Sequence, residues 1–322
     1  MSNIFPNFAL YKYKNKNMNV LEIKDFLRRR PGYIKFGSYK LSKVLQTSKV
    51  NCEEALRHMR LEIKQGIQLP SKVNTVKRLF YDIETSYNIV KAWRVGYNMT
   101  LQPGDIIHER AIICLSYKWE GEDKVHTLRW NKGCDKDIIT KFVELMFQAD
   151  ELVGHNIDRF DTKWIMTRAI KHGIEVLPKY NSYDTLKKAK FKFNFNSNKL
   201  DYIAKFLGLG GKYEHPGMKM WDDIILRNDP EAMAEMVYYC EKDVMLTEEV
   251  YQRLRKYTEH NVHHGVLMDK PKFTCPNDGS ENVELVKTDV TKTGTIKRLM
   301  KCNDCGQMFY LSNTQYLKFL NN

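Results

Sequence analysis

Three short stretches carry residue types that could do chemistry together. In Leu79-Phe80-Tyr81-Asp82-Ile83-Glu84-Thr85, two carboxylates interrupt an apolar run at a spacing of two. Side chains alternate faces along a strand, so Asp82 and Glu84 project to one side, about 7 Å apart along the backbone. Their repulsion is costly unless a proton or cation compensates it, and a divalent metal is the natural partner for such a pair. Taken alone, Asp-x-Glu also fits a solvated strand end.

The second stretch is Val153-Gly154-His155-Asn156-Ile157-Asp158-Arg159-Phe160-Asp161, an apolar strand that runs through a polar turn into a helix beginning near Phe160. Asp161 falls beside a helix N-terminus, where a carboxylate is also favoured by the helix dipole; that plain reading is adopted for Asp158. The third is Tyr239-Cys240-Glu241-Lys242-Asp243, inside a helix that Asp229-Pro230 can start, with Asp as cap and Pro as first residue. Met233, Val237, Cys240 and Val244 make its apolar stripe. Tyr239 and Asp243, four apart, stack on its flank and can reach one point. A half-buried core tyrosine would look the same, and Glu241 and Lys242 read as solvated.

The elements around these stretches alternate strand and helix from residue 77 onward. A strand over 78–85 precedes a hairpin over 111–130 that turns at 120–123. A helix at 135–150, a short strand at 151–155 and a helix at 160–172 follow, the last stopped by Gly173; further helices fit 199–207 and 229–257, the latter broken part-way. This order predicts an α/β domain with a mixed sheet flanked by helices.

The order Asp-x-Glu, Asn-x3-Phe-Asp, Tyr-x3-Asp within one α/β domain resembles the DEDDy exonucleases of the RNase H-like superfamily. "YDIET", "HN…FD" and "YYCEKDV" are similar to motifs of the proofreading domain of family-B DNA polymerases and of stand-alone bacteriophage exonucleases, over about residues 77–260. The resemblance implies a 3′-to-5′ exonuclease using two Mg²⁺ or Mn²⁺ ions. Asp82 would bridge both, Glu84 and Asp243 would complete one site, Asp161 would hold the second ion and Tyr239 would orient the attacking water. His155 and Asn156 resemble the polar pair near the terminal nucleotide, with support of neighbouring groups as the other reading. Asp184 has a relative in the family without an assigned ligand role. No polymerase domain follows, so proofreading within one chain is not expected.

Flanking regions differ in character. Of the +13 formal charge, residues 1–78 carry +12, residues 79–262 carry −1 and residues 263–322 carry +2. Such segregation points to a polyanionic partner, most simply DNA, met by the N-terminus. Val20, Ile23 and Leu27 predict one helix, ended by Arg28–Arg30 and Pro31-Gly32; 38–45 predicts a second. A third is capped by Asn51 with Glu54, with Cys52, Ala55, Leu56, Met59 and Ile63 as its stripe. Arg57, Arg60 and Lys64 share another face, a pattern resembling a helix-turn-helix; a helical cap with solvated charges is the alternative. Residues 68–75 read as a linker. Lys187 to Phe195 interleaves bases and rings, as a single-strand groove or as a core edge.

At the C-terminus, Cys275-Pro276-Asn277-Asp278-Gly279 and Cys302-Asn303-Asp304-Cys305-Gly306 resemble two knuckles of a zinc ribbon. Asp278 replaces one cysteine; it could ligate zinc, His263 or His264 could substitute, or the metal could be lost. Cys52, Cys114, Cys134 and Cys240 read as reduced core thiols, which suits a cytoplasm. No apolar run is long enough for a bilayer. The expected organisation is a basic helical domain at 1–76, an RNase H-like domain at 77–262 and a zinc-ribbon-like module at 263–322. The expected activity is DNA 3′-end hydrolysis. The alternatives are RNA trimming and an inactive nucleic-acid-binding protein of phage replication.

Overall fold

Strand β1 (Arg78–Thr85) lies at the centre of a five-stranded mixed sheet, and its alternation decides which side does what. Leu79, Tyr81 and Ile83 enter one core with α4 (Lys136–Met146) and α5 (Asp161–Lys171). Phe80 packs on the opposite face with Val244 and Tyr251 of the long helix α9 (Pro230–Leu254). Asp82 and Glu84 share the parity of Phe80 and so turn toward α9.

The computed structural model describes residues 19–29, 37–45, 47–64, 76–176, 179–214, 216–268 and 270–321. It divides into two compact units, Met1–Thr75 and Val76–Asn322. In the first, α1 (Val20–Arg29), α2 (Ser38–Leu45) and α3 (Lys49–Lys64) pack through Ile23, Leu27, Leu41, Cys52, Ala55, Leu56 and Met59. Asn19 and Glu22 exchange side-chain to backbone bonds at the start of α1. Helix α3 begins at Lys49, so Asn51 lies inside it; Ser48 Oγ accepts from the Asn51 N–H instead, since the hydroxyl one turn earlier reaches the free donors first. Arg57, Arg60 and Lys64 are exposed. The Pro31-Gly32 stop and the 68–75 linker lie outside the described residues.

In the second unit, after β1 come β2 (Ile89–Val90), β3 (Ile106–His108), β4 (Ile112–Trp119) and β5 (His126–Arg129), then α4, β6 (Glu151–Gly154), α5 and β7 (Ser182–Asp184). The main sheet has the order β5-β4-β1-β6-β7, with β4 antiparallel and β6 parallel to β1. Helices α6 (Thr185–Lys192), α7 (Leu200–Phe206) and α8 (Met218–Arg227) lead to α9. Asp229 caps α9 through the N–H groups of Glu231 and Ala232. The helix runs unbroken, contrary to the expected break, because neither Gly nor Pro falls after its first residue. Phe193 and Phe195 pack against the α7–α9 core and Tyr257, which makes the Lys187–Phe195 run mainly a core edge; Phe191 alone of its three rings is exposed. Cys134 is exposed, in a turn closed by a bridge to Asn131, and is not a core thiol.

Helix α10 (His264–Leu267) opens the C-terminal module, an antiparallel sheet of β8 (Val283–Val290), β9 (Ile296–Cys302) and β10 (Met308–Ser312) with α11 (Asn313–Leu320). Its core holds Phe273, Cys275, Met300, Cys302 and Phe309. The module meets the sheet through Arg78, which is buried. The Arg78 guanidinium donates to Glu151, Glu120 and both the carbonyl and side-chain oxygens of Asn277. No described helix is long and apolar enough to cross a membrane.

Candidate active site

Asp82, Glu84 and Asp243 bring carboxylate oxygens within 4.8 Å of one another. β1 supplies two because its alternation faces both toward α9, and α9 supplies the third one turn beyond Tyr239. Asp161, the first residue of α5, is buried beside them and accepts from the Ile83 N–H at 3.1 Å. That bond ties the β6–α5 turn to the strand between Asp82 and Glu84.

Electrostatics here are strongly unbalanced. Burial, with Asp243 repelling it, pushes the Asp82 carboxyl up to about 7, against the pull of Lys212 and the Cys240 thiol. Burial and then the Asp82 charge hold Glu84 and Asp161 well above the usual carboxylate range. The site thus carries more negative charge than its protein cations offset, and an all-oxygen donor set of this kind suits Mg²⁺ or Mn²⁺.

Lys212 is the functional residue that sequence reasoning missed. Its ammonium pairs with Asp243, lies 3.3 Å from the Tyr239 hydroxyl and sits over the Tyr239 ring. Asp201 Oδ1 accepts from the Lys212 N–H, and Gly208 and Gly210 with positive φ shape the approach. The glycine cluster Gly208, Gly210, Gly211 ahead of a lysine was the available signal. Arg110, whose guanidinium donates to Thr85 Oγ1 and stacks on Phe160 and Trp164, adds positive charge beside Glu84.

His155 and Asn156 line an open cleft of about 600 Å³ shared with Leu186, Lys190, Asn198 and Lys212. His155 is engaged on both nitrogens, 2.8 Å from Thr185 Oγ1 and 3.1 Å from the Asn198 carbonyl. Burial lowers its pKa to about 4, so the ring is neutral; Nε2–H donates to the Asn198 carbonyl, while Nδ1 faces the Thr185 hydroxyl, which itself donates to the Gly154 carbonyl at 3.1 Å. It braces the cleft wall. Asp184 holds the neighbouring turn in place by accepting from the N–H groups of Asn156, Asp158, Leu186 and Lys187, which joins the His155 turn to the start of α6. Asn156 takes a left-handed φ of 68 in that turn.

The second candidate centre is Cys275, Asp278, Cys302 and Cys305, whose ligand atoms all lie within 4.8 Å of one another. Cys275 Sγ is 3.6 Å from Cys305 Sγ, and Cys302 Sγ is 3.7 Å from Asp278 Oδ2. A tetrahedron with ~2.3 Å metal–sulfur bonds has edges of roughly 3.8 Å, so the donors match zinc in type and spacing. Hydrogen bonding from Cys275 lowers the Cys305 thiol to about 6. His263 and His264 are not substitutes. His263 accepts from the Val266 N–H and contacts the Lys272 carbonyl. His264 belongs to a third group with Glu151 and His260. There the Arg78 guanidinium already lies 3.0 Å from Glu151 and 3.2 Å from His264 Nδ1, which makes that group an ion network rather than a cation site.

Residues 108–255 match a family model of the RNase_H superfamily, a stretch that includes Asp161, Tyr239 and Asp243. The matched stretch has an RNase H-like α/β fold. Among matching solved structures is the family B DNA polymerase from the hyperthermophilic archaeon Pyrobaculum calidifontis, with 20% identity and a TM-score of 0.45, covering 56% of this chain. The chain spans 25% of that polymerase. No curated protein matches the sequence.

Proposed function

We propose that the chain is a metal-dependent 3′-to-5′ exonuclease that hydrolyses DNA ends. The observation that carries this reading is the convergence of Asp82, Glu84 and Asp243 within 4.8 Å of one another, with Tyr239 on the same helix and Asp161 buried alongside. Two divalent cations held by these four carboxylates would supply an activated water and neutralise the charge that develops on the phosphate oxygens. Tyr239 orients the water through its hydroxyl, and Lys212 fixes that hydroxyl and restrains Asp243. The cleft lined by His155 and Asn156 receives the terminal nucleotide. Arg57, Arg60 and Lys64 contact the phosphate backbone, and a structural zinc held by Cys275, Asp278, Cys302 and Cys305 stiffens the C-terminal module. On this reading the chain comprises 1–76, 77–262 and 263–322 as functional domains.

The test is cleavage of a 5′-labelled single-stranded DNA by the full chain with Mn²⁺ or Mg²⁺. A ladder of products shortened from the 3′ end is expected, lost in Asp82→Asn and Asp243→Asn and reduced by about 10²–10³-fold in Tyr239→Phe. No shortening, or shortening that Asp82→Asn leaves unchanged, overturns the proposal. An RNA oligomer of the same sequence reads the sugar preference.

A further inference from the structure

Between β1 and β4 the chain makes a long excursion, of which only Arg110 at its base belongs to the candidate active site. Its stalk is built. Ser86 N–H donates to the Ala111 carbonyl at 2.8 Å, Ala111 N–H to Ser86 Oγ at 2.9 Å and Arg110 N–H to Asn88 Oδ1 at 2.7 Å. β2 pairs with β3, and the Lys91 N–H donates to the Asp105 carbonyl. Two bonds anchor the stalk to α8: Tyr87 hydroxyl to Asp222, and Trp221 Nε1–H to the Thr85 carbonyl. Asp105 closes the far end: its carboxylate accepts from the Gln102 N–H at 2.8 Å and its own N–H donates to the Gln102 carbonyl at 2.9 Å.

The tip is the opposite of its stalk. From Lys91 to Gly104 every residue is exposed. Trp93, Val95, Tyr97, Met99 and Leu101 alternate with Arg94, Gly96, Asn98, Thr100 and Gln102, and Trp93 and Tyr97 are fully exposed at 106% and 103%. A row of large apolar side chains on a fixed stalk marks a binding surface. Chemistry selects the occupant. The tip carries Lys91 and Arg94 and no acid up to Asp105, so it complements a polyanion. Gly96 and the turn at Tyr97–Asn98 interrupt any continuous edge that a protein strand could extend. Flat rings interleaved with cations and amides are the components of a stacking platform for bases. Trp93 follows Glu84 by nine residues, so at full extension it lies within about 32 Å of it, the reach of a short single strand.

We infer that this arm is a single-strand grip: bases upstream of the 3′ end stack on Trp93 and Tyr97 while Lys91 and Arg94 meet the phosphates. The inference rests on the exonuclease reading for its direction, but its binding test does not need cleavage. The full chain is titrated in chelator with 3′-fluorescein (dT) of roughly 20 residues, following anisotropy and tryptophan quenching. Trp93→Ala and Tyr97→Ala should each weaken binding about tenfold, with Trp93→Phe recovering most of the loss. With Mn²⁺, the same variants should raise KM for the long oligomer and leave cleavage of a trimer unchanged. Both side chains are fully exposed, so melting temperatures should match wild type. Affinities within twofold of wild type in both Ala variants overturn the inference. So does unchanged DNA affinity accompanied by altered self-association, which would make the arm a protein-docking segment. Arm-dependent binding without cleavage supports the grip and sinks the nuclease reading; cleavage with arm-independent binding does the reverse.

Discussion

Lys212 shows how charge is balanced residue by residue. Its ammonium faces Asp243 directly, while Asp82, Asp161 and Glu84 keep carboxyls raised by burial and mutual repulsion. Asp243 is buried while the Lys212 side chain is 32% exposed, so removing the lysine leaves a buried carboxylate that solvent compensates only in part. Lys212→Met should therefore lower stability by about 2 kcal/mol in chelator, and saturating Mn²⁺ should restore most of the loss, as read by thermal unfolding in the two buffers. Equal losses in both buffers would place Lys212 outside the carboxylate balance. Strand parity put Asp82 and Glu84 on one face and i, i+4 spacing put Tyr239 and Asp243 on one flank, whereas the convergence of these with Asp161 was legible only through the resemblance of their order to the DEDDy exonucleases. Lys212 was not, since it sits in a glycine-rich loop where no periodicity exists and its partners lie 27 and 31 residues away.

At the scale of elements, the turn after β6 is where packing leaves the least room. A Cβ on Gly154 would meet Ile157 Cγ2 at 2.1 Å and the Tyr81 carbonyl at 2.9 Å. The contact with β1 backbone cannot yield without moving the strand that carries Asp82. Gly154→Ala should cost about 1–3 kcal/mol and lower activity beyond the fraction unfolded, measured by denaturant unfolding beside single-turnover cleavage. Asp229→Ala, by contrast, removes a half-buried cap far along α9 from Tyr239, and should cost about 1 kcal/mol with turnover intact. β1, α2, β6 and α5 were readable from apolar period and caps. α6 and α8 were not: α6 is polar apart from Leu186, Ala189 and Phe191 and is started by the Asp184 side chain, and α8 buries only Met220 and Ile224. Such elements exist because tertiary packing stabilises them, and a single strip of sequence does not display that packing.

The whole molecule adds a junction that none of its parts shows alone. The C-terminal module is joined to β1 through Arg78, Glu151, His260, His264 and Asn277, all within one buried polar network. Burial, reinforced by the Arg78 charge against the opposing pull of Glu151, lowers His264 to about 4. In an unfolded chain the same ring titrates near 6.5. Below that pH the unfolded state takes a proton that the folded state refuses, so stability contributed by neutral His264 falls as pH drops from about 6.5 toward 4. His155, also lowered to about 4, acts in the same direction. The raised carboxyls of Asp82, Glu84 and Asp161 act oppositely, because the folded state gains protons there as pH falls. Saturating Mn²⁺ would keep those carboxylates ionised and leave the histidines to dominate. Unfolding free energy with Mn²⁺ should then fall by on the order of 2 kcal/mol per histidine between pH 6.5 and 4.5. His264→Gln should flatten part of that slope while lowering stability at pH 7.5. A wild-type slope that His264→Gln leaves unchanged would show that the junction keeps its neutral ring for packing alone.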